Sequence, residues 1–114
     1  MISIFLEDSF DAAHWLPNVP EDHKCRHLHG HTYRIRIEVT GEIGSRSGWI
    51  MDYADLREKW LPLKEQLDHR SLNDLLPNPT CEVLAAWIAA NLCVPGLKRV
   101  ELRETVNCGV VYQL

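Results

Sequence analysis

No Cys-x-x-Cys pair occurs among the four cysteines, Cys25, Cys81, Cys93 and Cys108, which removes the zinc-finger and thioredoxin-type readings. In a reducing compartment all four would stay free thiols. Long apolar runs are missing too: the longest, Val83 to Ala90, falls far short of the roughly 18 residues a membrane-spanning helix needs. Met1-Ile2-Ser3-Ile4-Phe5-Leu6 has neither the basic region nor the small-residue cleavage site of a signal peptide, so a cytoplasmic location is expected. Positive charge is in deficit, with 12 Lys and Arg against 16 Asp and Glu for a net −4 at pH 7. That balance supplies no footprint for nucleic acid and no attraction to an anionic membrane. Gly-rich phosphate loops, internal repeats and low-complexity tracts are likewise absent.

What remains is an ordinary globular composition over 114 residues, 46% hydrophobic and 25% charged, expected to form one domain over 1–114. A chain this short buries only about two-thirds of its unfolded surface, leaving little for a deep private pocket. Ile2, Ile4, Leu6, Phe10, Ala12 and His14 share one parity, broken by Asp8, which predicts a long first strand. Trp15 to Leu28, with Pro17, Asn18 and Pro20, reads as a loop. A second strand is expected from His29 to Gly41, then a polar turn through Gly48. Asp52 is a plausible N-cap for a helix with Tyr53, Leu56, Trp60, Leu63 and Leu67 inward, kinked or divided at Pro62. Thr80 caps a second helix with Val83, Leu84, Trp87, Ile88 and Leu92 inward, ending before Pro95-Gly96. Arg99 to Thr105 reads as a third strand and Val110 to Gln113 as a fourth, after a turn at Asn107-Cys108-Gly109. The order ββααββ predicts an α+β fold, a four-stranded antiparallel sheet with two helices on one face.

The chemistry concentrates in Cys25-Arg26-His27-Leu28-His29-Gly30-His31. Imidazole is the commonest protein ligand for zinc-like metals. Two residues apart on a strand, His29 and His31 leave the same face as Tyr33, Ile35, Ile37 and Val39. With His14 at the inner end of the first strand they fit a site with three protein ligands and one open position. Spacing alone does not exclude His27, although a solvent-facing loop position suits it and His23 as well. Cys25 reads either as a small buried residue or as a base or nucleophile whose thiolate a metal and Lys24-Arg26 would favour. Asp68-His69 either ends a helix, where an imidazolium suits the dipole, or forms an acid or proton relay. Glu104 continues an apolar face inward, so it either meets a cation or awaits a ligand's paired N–H donors, such as the amino-pyrimidinone edge of a pterin or guanine. Lys24, Arg26, Arg34, Arg36, Arg46 and Arg70 read as phosphate contacts or as solvated surface charges.

Taken in order, Phe10-x-Ala12-Ala13-His14, Lys24-Cys25-x-x-Leu28-His29-Gly30-His31, Gly48-Trp49-Ile50-Met51-Asp52-Tyr53, Leu67-Asp68-His69-x-x-Leu72-Asn73, Pro79-Thr80-x-Glu82 and Glu104-Thr105 resemble the 6-pyruvoyltetrahydropterin synthase family. The likeness is greatest to its bacterial branch, which forms 6-carboxy-5,6,7,8-tetrahydropterin for queuosine biosynthesis. Cys81 and His27 depart from the family pattern. The resemblance implies the tunnelling fold, in which subunit sheets join into a barrel with sites between subunits, commonly in a homohexamer of two trimers. It implies one Zn2+ per subunit held by His14, His29 and His31, Cys25 as base or nucleophile, Asp68 and His69 as its proton-relay partners, and Glu104 anchoring a small-molecule pterin. The implied reaction converts 7,8-dihydroneopterin triphosphate to the carboxypterin, releasing acetaldehyde and triphosphate. The same residues would also suit a 6-pyruvoyltetrahydropterin synthase, a related side-chain lyase, or a non-catalytic zinc- and pterin-binding module.

Overall fold

Two long strands, β1 (Ile2–His14) and β2 (His29–Gly41), pair antiparallel from Ile2 with Gly41 to His14 with His29 in a computed structural model that describes residues 1–114. Strict alternation puts Leu6, Phe10, Ala12 and His14 of β1 and Tyr33, Ile35, Ile37 and Val39 of β2 on one buried face. Thr32, Arg34 and the other intervening residues of β2 face the opposite way.

The next element, α1 (Tyr53–Leu67), starts where Asp52 accepts a hydrogen bond from the Ala54 N–H at 2.9 Å. Leu56, Trp60, Leu63 and Leu67 are buried against the sheet, while Tyr53, expected on that stripe, is exposed. The helix runs as one element through Pro62, so of the expected kink or division the division does not occur. Pro62 and the Glu58 whose carbonyl it leaves free both lie on the exposed side, where water can bond that carbonyl. Buried leucines and Trp60 on both sides of the proline hold the axis, offsetting a cost of about 3 kcal/mol.

The chain leaves α1 beside β1 and adds β3 (Arg70–Ser71), parallel to Ala12–Ala13. A 3-10 turn over Leu72–Asp74 follows. Then comes α2 (Cys81–Asn91), capped by Thr80, whose hydroxyl accepts from the Val83 N–H at 3.1 Å. Its buried stripe is Cys81, Leu84, Ala85, Ile88 and Ala89, rotated from the expected one, so that Val83 is exposed. β4 (Leu97–Arg103) and β5 (Gly109–Gln113) complete an antiparallel run from β2.

The sheet order is β3-β1-β2-β4-β5. This corrects the expectation of four antiparallel strands: the α+β class holds, but a fifth strand is present and it is parallel. Two residues are too few to write a period-two pattern, and the pairing exists only because α1 delivers them alongside β1. α1 packs on β1 and α2 on β4 and β5, so both helices cover the face that carries His14. β4 ends at Arg103, leaving Glu104 just past the strand rather than on its face.

Candidate functional site

Register alone brings the three histidines together. His14 and His29 are directly opposite across β1 and β2, and His31 lies opposite Ala12, one residue pair further along the same face. One ring nitrogen from each of His14, His29 and His31 lies within 4.8 Å of the other two. Their ring centroids stand 4.6 to 5.1 Å apart at steep angles, converging on a point without stacking. His14 is only 1% exposed.

Backbone carbonyls set the tautomers. His14 Nδ1 lies 2.8 Å from the Pro79 carbonyl and His29 Nδ1 lies 2.7 Å from the His27 carbonyl. A carbonyl can only accept, so both Nδ1 atoms carry the proton and both Nε2 lone pairs are free. The Tyr33 hydroxyl, 3.4 Å from His14 Nδ1, is a longer second acceptor for the same N–H. The Nε2 atoms of His14 and His31 are buried without any hydrogen-bond partner, which is costly unless something binds them. Burial pushes the His31 pKa below its usual value of 6.5, His14 and His29 act in the same direction, and Glu104 opposes them. The ring is therefore neutral at pH 7. Three imidazoles whose ring nitrogens converge, two of them unpartnered, fit a divalent metal ion.

Glu104 joins this cluster from the turn between β4 and β5, where its N–H donates to the Cys108 carbonyl at 3.0 Å. Its Oε1 stands 3.7 Å from His31 Nε2, beyond hydrogen-bond range, and no Lys or Arg pairs with it. A half-buried carboxylate with free lone pairs is thus left beside the histidines. Nearby, the buried Cys81 thiol points at the Leu102 carbonyl 3.5 Å away. Burial first, then Glu104 and Glu82, push its pKa up to about 12, so it is no nucleophile. Burial, with Glu104 and Cys81 adding to it, likewise raises the Tyr33 phenol.

Asp68 and His69 form a second cluster, with Asp11, on the other side of the strand pair. His69 Nδ1 donates to Asp68 Oδ1 at 3.0 Å, and the same oxygen accepts the Asp11 N–H at 3.0 Å. That backbone bond is the main reason the Asp68 carboxyl titrates below its usual range; partial burial opposes it and His69 adds to it. His69 adopts a left-handed φ of 59°, and its own N–H donates to the Asp11 carbonyl at 2.6 Å. Thr32, cross-strand neighbour of Asp11, donates its hydroxyl to the Asp11 carboxylate.

The structure therefore gathers His14, His29, His31 and Glu104 on the helix-covered face and Asp68 with His69 on the opposite one. Cys25 stands outside both clusters, half-buried in a 3-10 turn over Lys24–Arg26. There its N–H donates to His23 Nδ1 at 3.0 Å and its carbonyl accepts the Leu16 N–H at 2.8 Å. Arg26 is tied to the Pro17 and Val19 carbonyls. His27 is exposed and contributes its carbonyl, not its ring. The sequence reading missed the Pro79 and His27 carbonyls, Tyr33, and the Asp11–Thr32 pair. The first two are backbone atoms with no sequence signal; strand register, once known, would have given the others.

Three imidazoles at the mouth of a strand pair, backed by a helix-covered core, define an α+β protein with a cluster of the kind that can hold a metal ion. More narrowly, the chain belongs to the 6-pyruvoyl tetrahydropterin synthase family, whose model matches residues 3–114. It is 44% identical to the 6-carboxy-5,6,7,8-tetrahydropterin synthase of Synechocystis, with 96% of this chain and 91% of that protein covered. It is 38% identical to the dihydroneopterin monophosphate aldolase of Pyrococcus furiosus, covering 94% and 93%. The solved 6-pyruvoyl tetrahydropterin synthase of Caenorhabditis elegans superposes with a TM-score of 0.90 at 26% identity, over 99% of this chain and 95% of that one.

Proposed function

We propose that this chain, acting as one domain over 1–114, is a zinc-dependent lyase. It converts 7,8-dihydroneopterin triphosphate and one water to 6-carboxy-5,6,7,8-tetrahydropterin, acetaldehyde and triphosphate, in the cytoplasmic route to queuosine and related 7-deazapurines. The observation that carries this reading is the convergence of one ring nitrogen from each of His14, His29 and His31, with the Nε2 atoms of His14 and His31 unpartnered and the Glu104 carboxylate beside them with no Lys or Arg paired to it, in a chain 44% identical to the Synechocystis synthase.

His14, His29 and His31 would hold one zinc ion per subunit. When bound, the ion supplies Lewis acidity at the pterin side chain. Glu104 accepts two N–H bonds from the amino-pyrimidinone edge and fixes the ring. Cys25 removes or returns a proton on the side chain. His69, held by Asp68 through Nδ1–H, keeps Nε2 free to exchange a proton with the substrate. Because Asp68 and His69 lie across the sheet from the histidines, a neighbouring copy would supply them, in a homohexamer of two trimers with sites between subunits.

Incubation of the purified zinc-loaded protein with dihydroneopterin triphosphate, followed by mass spectrometry of the pterin product and an acetaldehyde assay, tests this directly. Absence of both products defeats it. The likeness to the Pyrococcus furiosus aldolase favours a second reading, cleavage of the side chain alone, and a different product mass identifies it.

A further inference from the structure

Arg70 is free where nearly every other charged group around it is engaged. It opens β3 directly after His69, and both line an open cavity of about 560 Å³ with Asp11, Gly30, Thr32 and His31 of the histidine cluster. Arg70 is the only Lys or Arg lining it. The two carboxylates of that region are already occupied: Asp68 by His69 and the Asp11 N–H, Asp11 by the Thr32 hydroxyl. Elsewhere on the sheet Arg36, Arg99 and Arg103 each pair with a glutamate, whereas Arg34 is unpaired but lines a separate cavity with Glu7 and Glu101. Pairing of β3 with Ala12–Ala13 fixes the root of the Arg70 side chain. An exposed guanidinium on a rigid root beside an acid–base pair suits a planar, doubly hydrogen-bonded contact to phosphate oxygens.

We propose that Arg70 binds the phosphate end of the substrate's side chain, so that the protein prefers phosphorylated over dephosphorylated dihydropterins. The inference rests on the proposed pterin chemistry for its substrate, but its anion site is measured separately. Asp11 and Asp68, being negative, confine the phosphate to the Arg70 side of the cavity.

Calorimetric titration of the zinc-loaded protein with inorganic tripolyphosphate, checking zinc content before and after, is compared for wild type, Arg70→Ala, Arg70→Lys and Arg57→Ala. The last removes an equal charge from the exposed side of α1. Steady-state kinetics with dihydroneopterin triphosphate and with dihydroneopterin accompany it. Arg70→Ala weakens tripolyphosphate binding and raises KM for the phosphorylated substrate by about 10–100-fold, the range for a lost charge-assisted hydrogen bond. Affinity for dihydroneopterin stays unchanged, Arg70→Lys recovers part of the loss, and Arg57→Ala behaves as wild type. The proposal is overturned if wild type does not bind tripolyphosphate, if Arg70→Ala binds it equally well, or if Arg70→Ala weakens both pterins alike. A wild-type protein that binds tripolyphosphate through Arg70 yet releases no pterin product defeats the proposed reaction and leaves the anion site standing.

Discussion

At the scale of single residues, the decisive feature is which nitrogen of each histidine carries a proton. The Pro79 carbonyl makes that choice for His14 and the His27 carbonyl for His29, and the free Nε2 atoms follow. His14→Ala removes the most buried of the three imidazoles proposed to hold zinc and is expected to reduce bound zinc from about one per chain to a small fraction, measured by atomic emission after dialysis. Cys25→Ala has no place in the histidine cluster. It should retain zinc while turnover drops by about 10²–10⁴-fold, the usual worth of a proton-transferring group, and loss of zinc in this variant would reassign Cys25 as a ligand.

At the scale of elements, the joint between α1 and β1 is polar at Asp8, the one position that breaks the apolar parity of β1. Asp8 sits on the buried parity of β1, its carboxylate accepting from Trp60 Nε1 at 2.9 Å and Lys64 Nζ at 3.1 Å. Burial raises its pKa, but the bonds from Trp60, the Ser9 N–H and Lys64 outweigh burial and hold it below the usual value. Asp8→Ala leaves a fully buried indole N–H unpaired and should cost about 1–3 kcal/mol in urea unfolding. A lowered carboxyl pKa stabilises the fold fully above its unfolded value of about 3.9. That contribution disappears as pH falls through the lower folded value, so the gap between wild type and Asp8→Asn should close on going from about pH 7 to below about pH 3. Where the chain enters β4, Gly96 has φ of 80°, and a Cβ there would clash with the Thr40 carbonyl oxygen. Gly96→Ala should therefore cost more than about 1 kcal/mol, read as a lowered thermal midpoint.

At the scale of the whole molecule, the isolated chain is too long and too open for its size. Its radius of gyration is 15.6 Å with a long axis of 58 Å, against about 13 Å for a compact chain of this length. β3 covers only Ala12 and Ala13 of the outer edge of β1, and β5 ends the sheet on the other side, leaving backbone donors and acceptors unpaired on both edges. Ile2, Ile43, Trp49 and Tyr53 line an open apolar hollow. These features support the proposed hexamer, and sedimentation equilibrium should find six chains per particle; a monomer at micromolar concentration would contradict it. Since the metal would bind the folded cluster and not the unfolded chain, chelation should lower the thermal midpoint. Saturation at a hundred times Kd stabilises by about 2.7 kcal/mol, on the order of 10 °C for a domain this small.

Sequence by itself determined the two long strands, both helix caps and the gathering of His14, His29 and His31. Each of these follows from local rules: period-two alternation, a side-chain oxygen before a helix, and parity along a strand. Tertiary structure alone decided the rest. The parallel β3 depends on where α1 releases the chain, and the continuity of α1 through Pro62 depends on buried leucines flanking it. Glu104 meets His31 because β2 and β4 are neighbours, a contact across more than seventy residues that no local pattern encodes. The separation of Asp68 and His69 from the histidines was equally illegible, because the face of a sheet on which a loop residue falls is set by the packing of the whole chain.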